Sequence, residues 1–287
     1  MKPFPLVLTI AAALLTATSG VRRAVAAPPW VDREITLPRH DWAFDFGLGI
    51  AHSDSNQPVL PSVNGVGMNL EMGVGVTERL QLGLRTGLRV NDGGRATQAD
   101  EYGRLFDRQT FGTNGDALSN PEFLIRGGLV RTRIFELGLE GRAYLPIERG
   151  SRFGGLFGVP LAFHFGGAVR LDTGVYIPVL FYDPAFYAVS LPAHVWIQAS
   201  DKVWLGPLAG LVFRHWGYGV DPFGRATNGP LPYARGTEET DLQLGFGLGY
   251  SITSYLDFKT MVLFPRINEA EGARNFGLSA GLQVRIE

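Results

Sequence analysis

The chain has 287 residues, 45% of them hydrophobic and 18% charged, and its 26 basic residues against 27 acidic ones leave a net charge of -1. So balanced a chain implies no nucleic-acid partner, and the absence of cysteine excludes both a disulfide framework and a thiolate metal site. Its 38 glycines are well above the usual share of about 7%, and they fall mainly on alternate positions of strand-like segments rather than in low-complexity runs.

Lys2 precedes the apolar run LVLTIAAALL, and Ala24-Val25-Ala26-Ala27 offers a small-residue cleavage site after Ala26. Residues 1–26 therefore read as a secretory signal peptide, too short in its apolar part to cross a bilayer as a helix, which takes about 20 residues. Arg22 and Arg23 follow that run instead of preceding it, so they belong to the cleavage region. Residues 27–41 read as a periplasmic N-terminal segment and 42–287 as the folded unit.

That unit begins with a strand over 42–50, where Trp42, Phe44, Phe46, Leu48 and Ile50 alternate with Ala43, Asp45, Gly47 and Gly49. Successive side chains of a strand leave opposite faces, so one face is apolar and the other small or polar. The scheme repeats at 66–76, where Val66, Met68, Leu70, Met72, Val74 and Val76 oppose Gly67, Asn69, Glu71, Gly73 and Gly75. After Thr77-Glu78-Arg79 it resumes at 80–90, with Leu80, Leu82, Leu84, Thr86, Leu88 and Val90 against Gln81, Gly83, Arg85, Gly87 and Arg89. These two segments form a hairpin. Further strands are expected at 121–130, 133–145, 158–169, 173–181, 186–197, 203–213, 240–250, 255–264 and 274–286. The last carries Phe276, Leu278, Ala280, Leu282, Val284 and Ile286 on one side and Asn275, Gly277, Ser279, Gly281, Gln283 and Arg285 on the other.

Purely apolar on one face and glycine, amide or charge on the other suits strands with hydrocarbon outside and a polar lumen inside. The fold class is all-β: an antiparallel up-and-down transmembrane β-barrel of about twelve strands, or ten if the hairpin containing Pro178 and Pro192 is lost, since proline removes a ladder donor. Connections support it. Turns at 77–79, 130–133, 170–172, 198–202 and 251–254 are short, while links at 51–65, 91–120, 146–157, 214–239 and 265–273 are longer, as in a bacterial outer-membrane barrel with periplasmic termini. Trp196, Trp204, Tyr250 and Tyr255 at the short-turn ends, and Phe181, Tyr182, Phe186, Tyr187, Phe213, Trp216 and Phe264 at the other, are expected as two interfacial girdles. A secreted soluble β-protein would also alternate, but its polar faces would carry Lys, Glu and Thr rather than rows of glycine.

The hairpin VGVTERLQLGLRTGLRV (74–90) and the stretch SNPEFLIRGGLV (119–130) resemble recurring hairpins of a broad group of Gram-negative outer-membrane β-barrels, which includes proteins associated with phenol meta-pathway operons. The C-terminal strand is similar to the terminal strand of such barrels, departing from it by ending Ile286-Glu287 where an aromatic residue is usual. The resemblance implies outer-membrane location and a transporter-like barrel, with hydrophobic or aromatic compounds as possible solutes.

Assigning the polar phase to the lumen gives Asp45, Glu71, Glu122, Glu136, Glu140, Asp241 and Asp257 as acidic residues there, Arg85, Arg89, Arg126, Arg142, Arg170, Lys259 and Arg285 as basic ones, and His164 beside them. A strongly ion-selective pore would carry a ring of one sign. Balanced signs suit either a narrow channel for small neutral or zwitterionic solutes, or a salt-bridged interior that braces the wall without conducting. Lumenal glycines leave room for water or for an incoming loop, or relieve crowding beside large neighbours. The loop at 91–120, with Asp92, Arg95, Asp100, Glu101, Arg104, Asp107 and Arg108, either constricts the pore or is solvated outside.

No enzyme is expected. Adjacent His52 and Ser53 face opposite ways on a strand; Glu136 and Glu140 share a face with Arg142 and read as ion-paired. The run GFGLG at 245–249 precedes no helix that could bind phosphate, and Asp221, Glu238, Glu239 and Asp241 match no calcium-loop spacing. No cofactor or metal is implied. The expected partners are outer-membrane lipid and a small solute, and the oligomeric state is left open. The function expected is a passive outer-membrane channel; the alternative is a non-conducting barrel with a salt-bridged lumen whose loops, 214–239 above all, bind a partner.

Overall fold

The computed structural model describes residues 28–53, 63–89, 121–146, 153–181, 186–215, 238–265, 267–268 and 276–286. Twelve strands run in chain order: β1 (Trp42–Ser53), β2 (Val63–Thr77), β3 (Leu80–Arg89), β4 (Glu122–Arg131), β5 (Phe135–Tyr144), β6 (Gly154–Phe165), β7 (Val169–Leu180), β8 (Phe186–Gln198), β9 (Val203–His215), β10 (Glu238–Ser251), β11 (Leu256–Phe264) and β12 (Phe276–Ile286). Each pairs antiparallel with its neighbours, and β1 pairs with β12 from Trp42 opposite Ile286 to His52 opposite Phe276, closing the barrel. Closure leaves no sheet edge to satisfy. Twelve strands form, not ten, because Pro178 and Pro192 are accommodated within paired strands opposite Leu156 and Gly210. Among the described residues no helix is long and apolar enough to cross a membrane.

The outward phase is the apolar one all the way round. Leu48 of β1, Ile125 of β4 and Phe157 of β6 are each more than half exposed, at 52%, 52% and 53%. A continuous band of this kind would be untenable in water and is what a hydrocarbon surround selects. Tyr250, Tyr255, Tyr187, Phe213 and Phe181 lie in it, exposed, where the sequence places girdle residues. Trp196 and Trp204 do not. They continue the inward phases of His194 and of Gly206 and Leu208, and are 3% and 0% exposed inside the barrel.

The hairpin β6–β7 also differs from expectation. Its turn is Gly166-Gly167-Ala168 rather than 170–172, so β6 lies four residues earlier than expected and β7 starts four residues earlier but ends only one residue short of 181. Gly166 and Gly167 have φ of 63° and 72°, the pair of left-handed residues that a tight two-residue hairpin turn demands. Arg170 and Asp172 are thereby wall residues facing the lumen.

Residues 28–41, expected as a segment outside the barrel, run along its inside. The described part of this segment includes a 3-10 turn, Trp30–Asp32. From there the chain runs to Leu37, bending at Ile35 and Thr36, with Val31, Arg33, Ile35, Thr36 and Leu37 buried against the wall and Asp32 and Glu34 exposed. It reaches β1 through a turn in which Asp41 N–H donates to the Pro38 carbonyl (3.1 Å) and His40 adopts φ 71°.

Candidate functional site

The inner strap, residues 30–41, is held by the polar groups of one strand after another. Near its junction with β1, His40 N–H donates to the Gly75 carbonyl (2.7 Å) and Gly75 N–H to the Asp41 carbonyl (2.9 Å). Leu37 N–H donates to Gln81 of β3 (3.1 Å), Ile35 N–H to Glu136 of β5 (3.2 Å), and Val31 N–H to Gln198 of β8 (3.4 Å). In return the Ile35 carbonyl accepts from Arg126 (3.1 Å), the Arg33 carbonyl from Arg170, and the Val31 carbonyl lies 2.7 Å from His164 Nδ1. An extended strap has no internal ladder, so its buried backbone groups must find partners on the wall. Gly75 and Gly138 make the approach possible: a Cβ on Gly75 would collide with the Pro38 carbonyl, and one on Gly138 would come 2.8 Å from Ile35 Cδ1.

The free end of the strap inserts Trp30 into an aromatic slot. Its ring lies parallel to Trp204 with centroids 5.0 Å apart and meets Trp196 edge-on at 5.7 Å and 71°, the two geometries that aromatic quadrupoles favour. Val31, Leu208, Met261 and Leu263 complete a buried apolar cluster in which side chains of β8, β9 and β11 meet over the glycines of β10. Arg33 Cζ lies 5.0 Å from the Trp30 ring centroid and Lys259 Nζ 5.2 Å from it, within cation–π range. Arg33 also forms a 2.5 Å ion pair with Asp257, both side chains nearly inaccessible. Gly247 and Gly249 of β10 seat the wall indoles: a Cβ there would clash with Trp196 and Trp204 respectively. None of the three indole N–H groups of Trp30, Trp196 and Trp204 has a hydrogen-bond partner among the described residues, each a cost of order 1–3 kcal/mol if water is excluded.

The charged residues divide by wall. On β4 and β5, Arg126 pairs with Glu140 (2.8 Å), Glu140 with Arg142 (2.9 Å), and Arg142 with Glu122 (2.9 Å), all almost fully buried. Glu136 is 2.8 Å from His164 Nε2 of β6, and Arg170 pairs with Asp172 on β7 (2.6 Å). This side is braced. On the other side Lys259 pairs with Asp45 (2.9 Å) and Gln283 donates to Asp45 (2.8 Å). Arg85 and Glu71 are 3.9 Å apart, Arg285 donates to Gln283 (3.2 Å), and Asp257 receives Arg33 as described. Asp241 is buried on the inward phase of β10. Arg89 lies opposite Gly67 in the β2–β3 register, its side chain outside the description. The carboxylates Glu136 and Glu140, read from the sequence as ion-paired with Arg142, in fact divide: Glu140 takes Arg142, and Glu136 takes His164 and the strap.

A cavity of about 90 Å³ runs along this second side, lined by Asp45, Asn69, Glu71, Arg85, Lys259 and Ser279 among others and bordered by Trp196 and Met261. It has room for several waters. Next to it, sharing Asp45 and Glu71, a smaller space of about 20 Å³ is bounded by residues 34–37 of the strap with Gln81, Gln283 and Arg285. The strap thus borders the smaller space.

The strap and its slot were missed by the sequence reading, although a signal was there: Val31, Arg33, Ile35 and Leu37 alternate like a buried strand edge. The loops at 91–120 and 216–237, and Asp221 with the side chains of Glu238 and Glu239, lie outside the described residues. Among those described, no cluster of three or more His, Asp or Glu is disposed to hold a metal.

No protein-family model matches the chain, and no curated protein sequence matches it. Solved structures do match. An outer membrane channel from Pseudomonas putida F1 superposes with a TM-score of 0.55 at 11% identity, covering 88% of this chain and 97% of that one. The NanC porin gives 0.53 at 7% identity, covering 85% and 99%, and the KdgM porin 0.52 at 9%, covering 84% and 98%. The chain therefore has the closed antiparallel β-barrel fold of outer-membrane porins and channels. At these identities it is the fold that is shared.

Proposed function

We propose that the protein is an outer-membrane channel for passive passage of small solutes, conducting along the wall of β1–β3 and β11–β12. The observation that carries this reading is the polar cavity between Asp45, Asn69, Glu71, Arg85 and Lys259, which remains on one side of a lumen otherwise filled by strap and ion pairs. Its lining mixes both signs, so the passage favours neither anions nor cations strongly and suits neutral or zwitterionic solutes. The resemblance of the 74–90 and 119–130 hairpins adds hydrophobic or aromatic compounds as solutes. Single-channel recordings in planar bilayers test the reading, with intact protein and with residues 27–37 deleted. Conductance that rises on deletion and changes with Lys259→Ala supports it; silence in both forms rejects it.

The braced ladder Glu122–Arg142–Glu140–Arg126 favours a second reading, a non-conducting barrel stiffened to present its loops to a partner. Silence in both bilayer experiments, with loop deletion abolishing partner capture, is the outcome that selects it.

A further inference from the structure

We propose that the slot filled by Trp30 is a binding site for a planar aromatic molecule that bears a hydrogen-bond acceptor and no negative charge, and that such a molecule takes the place of Trp30 and releases the strap. The inference rests on the channel reading only in that the molecule arrives through the cavity.

The receiving surface belongs to the wall. Trp204 offers a flat face, Trp196 an edge, and Leu208 and Leu263 the floor, while Gly247 and Gly249 hold the two indoles from behind. Removal of Trp30 would leave these rings seated. The slot also opens onto the passage, because Trp196 and Met261 border the cavity as well as the Trp30 ring.

Ligand chemistry follows from what Trp30 leaves undone. It supplies a ring but no acceptor, so the wall N–H groups of Trp196 and Trp204 stay without partners among the described residues. A ring of similar outline carrying a carbonyl or ether oxygen would stack equally well on Trp204 and also accept from Trp196, whereas the Trp204 N–H lies in the plane of the stacked ring and against Gly249. Lys259 is matched by Asp45, but release of the strap takes Arg33 away from Asp257, so an anionic ligand would meet a carboxylate that has lost its partner. A saturated ring would forfeit stacking.

Beyond Trp30 the strap is held by single hydrogen bonds to its backbone, which water replaces on release, by the Arg33–Asp257 and Glu34–Arg131 pairs and by the buried side chains of Val31, Ile35 and Leu37, so the ligand has to offset all of these. If the signal peptide is cleaved after Ala26 as the sequence predicts, only residues 27–29 precede Trp30, and the strap swings from its one attachment at His40–Asp41.

The test uses the absence of native cysteine. With Thr36→Cys as the only thiol, the refolded mature chain in detergent is labelled with a polyethylene glycol maleimide in the presence of coumarin, naphthalene or octahydrocoumarin. Coumarin should raise the labelling rate saturably. Naphthalene, lacking the acceptor, should bind about tenfold more weakly (about 1.4 kcal/mol), and octahydrocoumarin should have no effect. Trp30→Ala should label rapidly without ligand and bind coumarin more tightly; Trp204→Leu should abolish the response, with Trp204→Phe as the variant that keeps an aromatic face should the leucine fail to fold. Unchanged labelling at any coumarin concentration, or unchanged coumarin affinity in Trp30→Ala, overturns the proposal. Release by coumarin in a barrel that never conducts would reject the channel and leave this site standing, and conductance without release would do the reverse.

Discussion

Replacing Arg33 by alanine should open the strap. The guanidinium is 4% exposed and lies 2.5 Å from Asp257, which is 3% exposed, and it faces the Trp30 ring at 5.0 Å. Removing one partner of a buried pair typically costs about 3–5 kcal/mol, because the remaining charge is left uncompensated in a dry site. Asp257 keeps one donor, Ser251 Oγ at 2.7 Å, so the lower figure of about 3 kcal/mol is the appropriate one. The cost falls on the docked state alone: once the strap leaves, water reaches Asp257. The ratio of docked to released strap should therefore fall by a factor of about 100. Labelling of Thr36→Cys measures this directly, and bilayer conductance measures its consequence. The control is Arg33→Met with Asp257→Leu, which removes both charges and should recover most of the docking. The reasoning is refuted if Arg33→Ala labels at the parental rate, or if the double variant labels as fast as the single one.

Gly75→Ala places a methyl group against the Pro38 carbonyl, so it should accelerate labelling of Thr36→Cys while leaving heat-dependent gel mobility, a measure of the barrel itself, unchanged. Partial desolvation of the half-exposed Glu34 side chain, together with the neighbouring carboxylates Glu136 and Glu78, raises its carboxyl above the ordinary 4.5 against the pull of Arg131 2.6 Å away. The docked strap then binds more proton than the released one, so this contribution to docking is complete below 4.5 and lost as pH rises through the raised value. Open probability should accordingly rise with pH over that window in the parent, and Glu34→Gln should flatten the rise. Glu140→Gln removes the carboxylate between Arg126 and Arg142 and should destabilise the barrel by about 3 kcal/mol, read by urea unfolding in vesicles; no change would show that the ladder does not brace the wall.

The barrel was legible because each wall residue answers to only two surroundings. Alternation marks that choice residue by residue, which is why β1 and β12 pair in the phase expected of Phe46 and Leu282 outward and Asp45 and Gln283 inward. Legibility failed where local composition imitated another element. Gly154 and Gly155 look like loop, so β6 was expected to begin at 158; yet the pleat starts there, Gly155 being small enough to pass the Arg142 carbonyl. Trp196 and Trp204 sit at strand ends, where tryptophan commonly marks a membrane interface. Their parity pointed inward, and their partner, Trp30, lies more than 160 residues away in the chain.

The charge balance of the lumen could not decide between conducting and bracing because the two uses are spatially separated, and a list of inward residues carries no distances. Glu140 and Arg142 face the same interior as Asp45 and Lys259, but the former are sealed beneath other ion pairs while the latter border open space. The strap reinforces this asymmetry. Its backbone uses Gln81, Arg126, Glu136, His164, Arg170 and Gln198, drawn from β3 through β8, while β11 is met by side chains, Arg33 at Asp257 and Trp30 and Val31 at Met261 and Leu263. A side chain that satisfies the strap is withheld from a permeating solute, so the same contacts that fill one half of the lumen confine the passage to the other. Releasing the strap should therefore do more than widen a hole: it should expose Gln81 and the Glu136–His164 pair to the lumen, and the open channel should be wetter than the closed one.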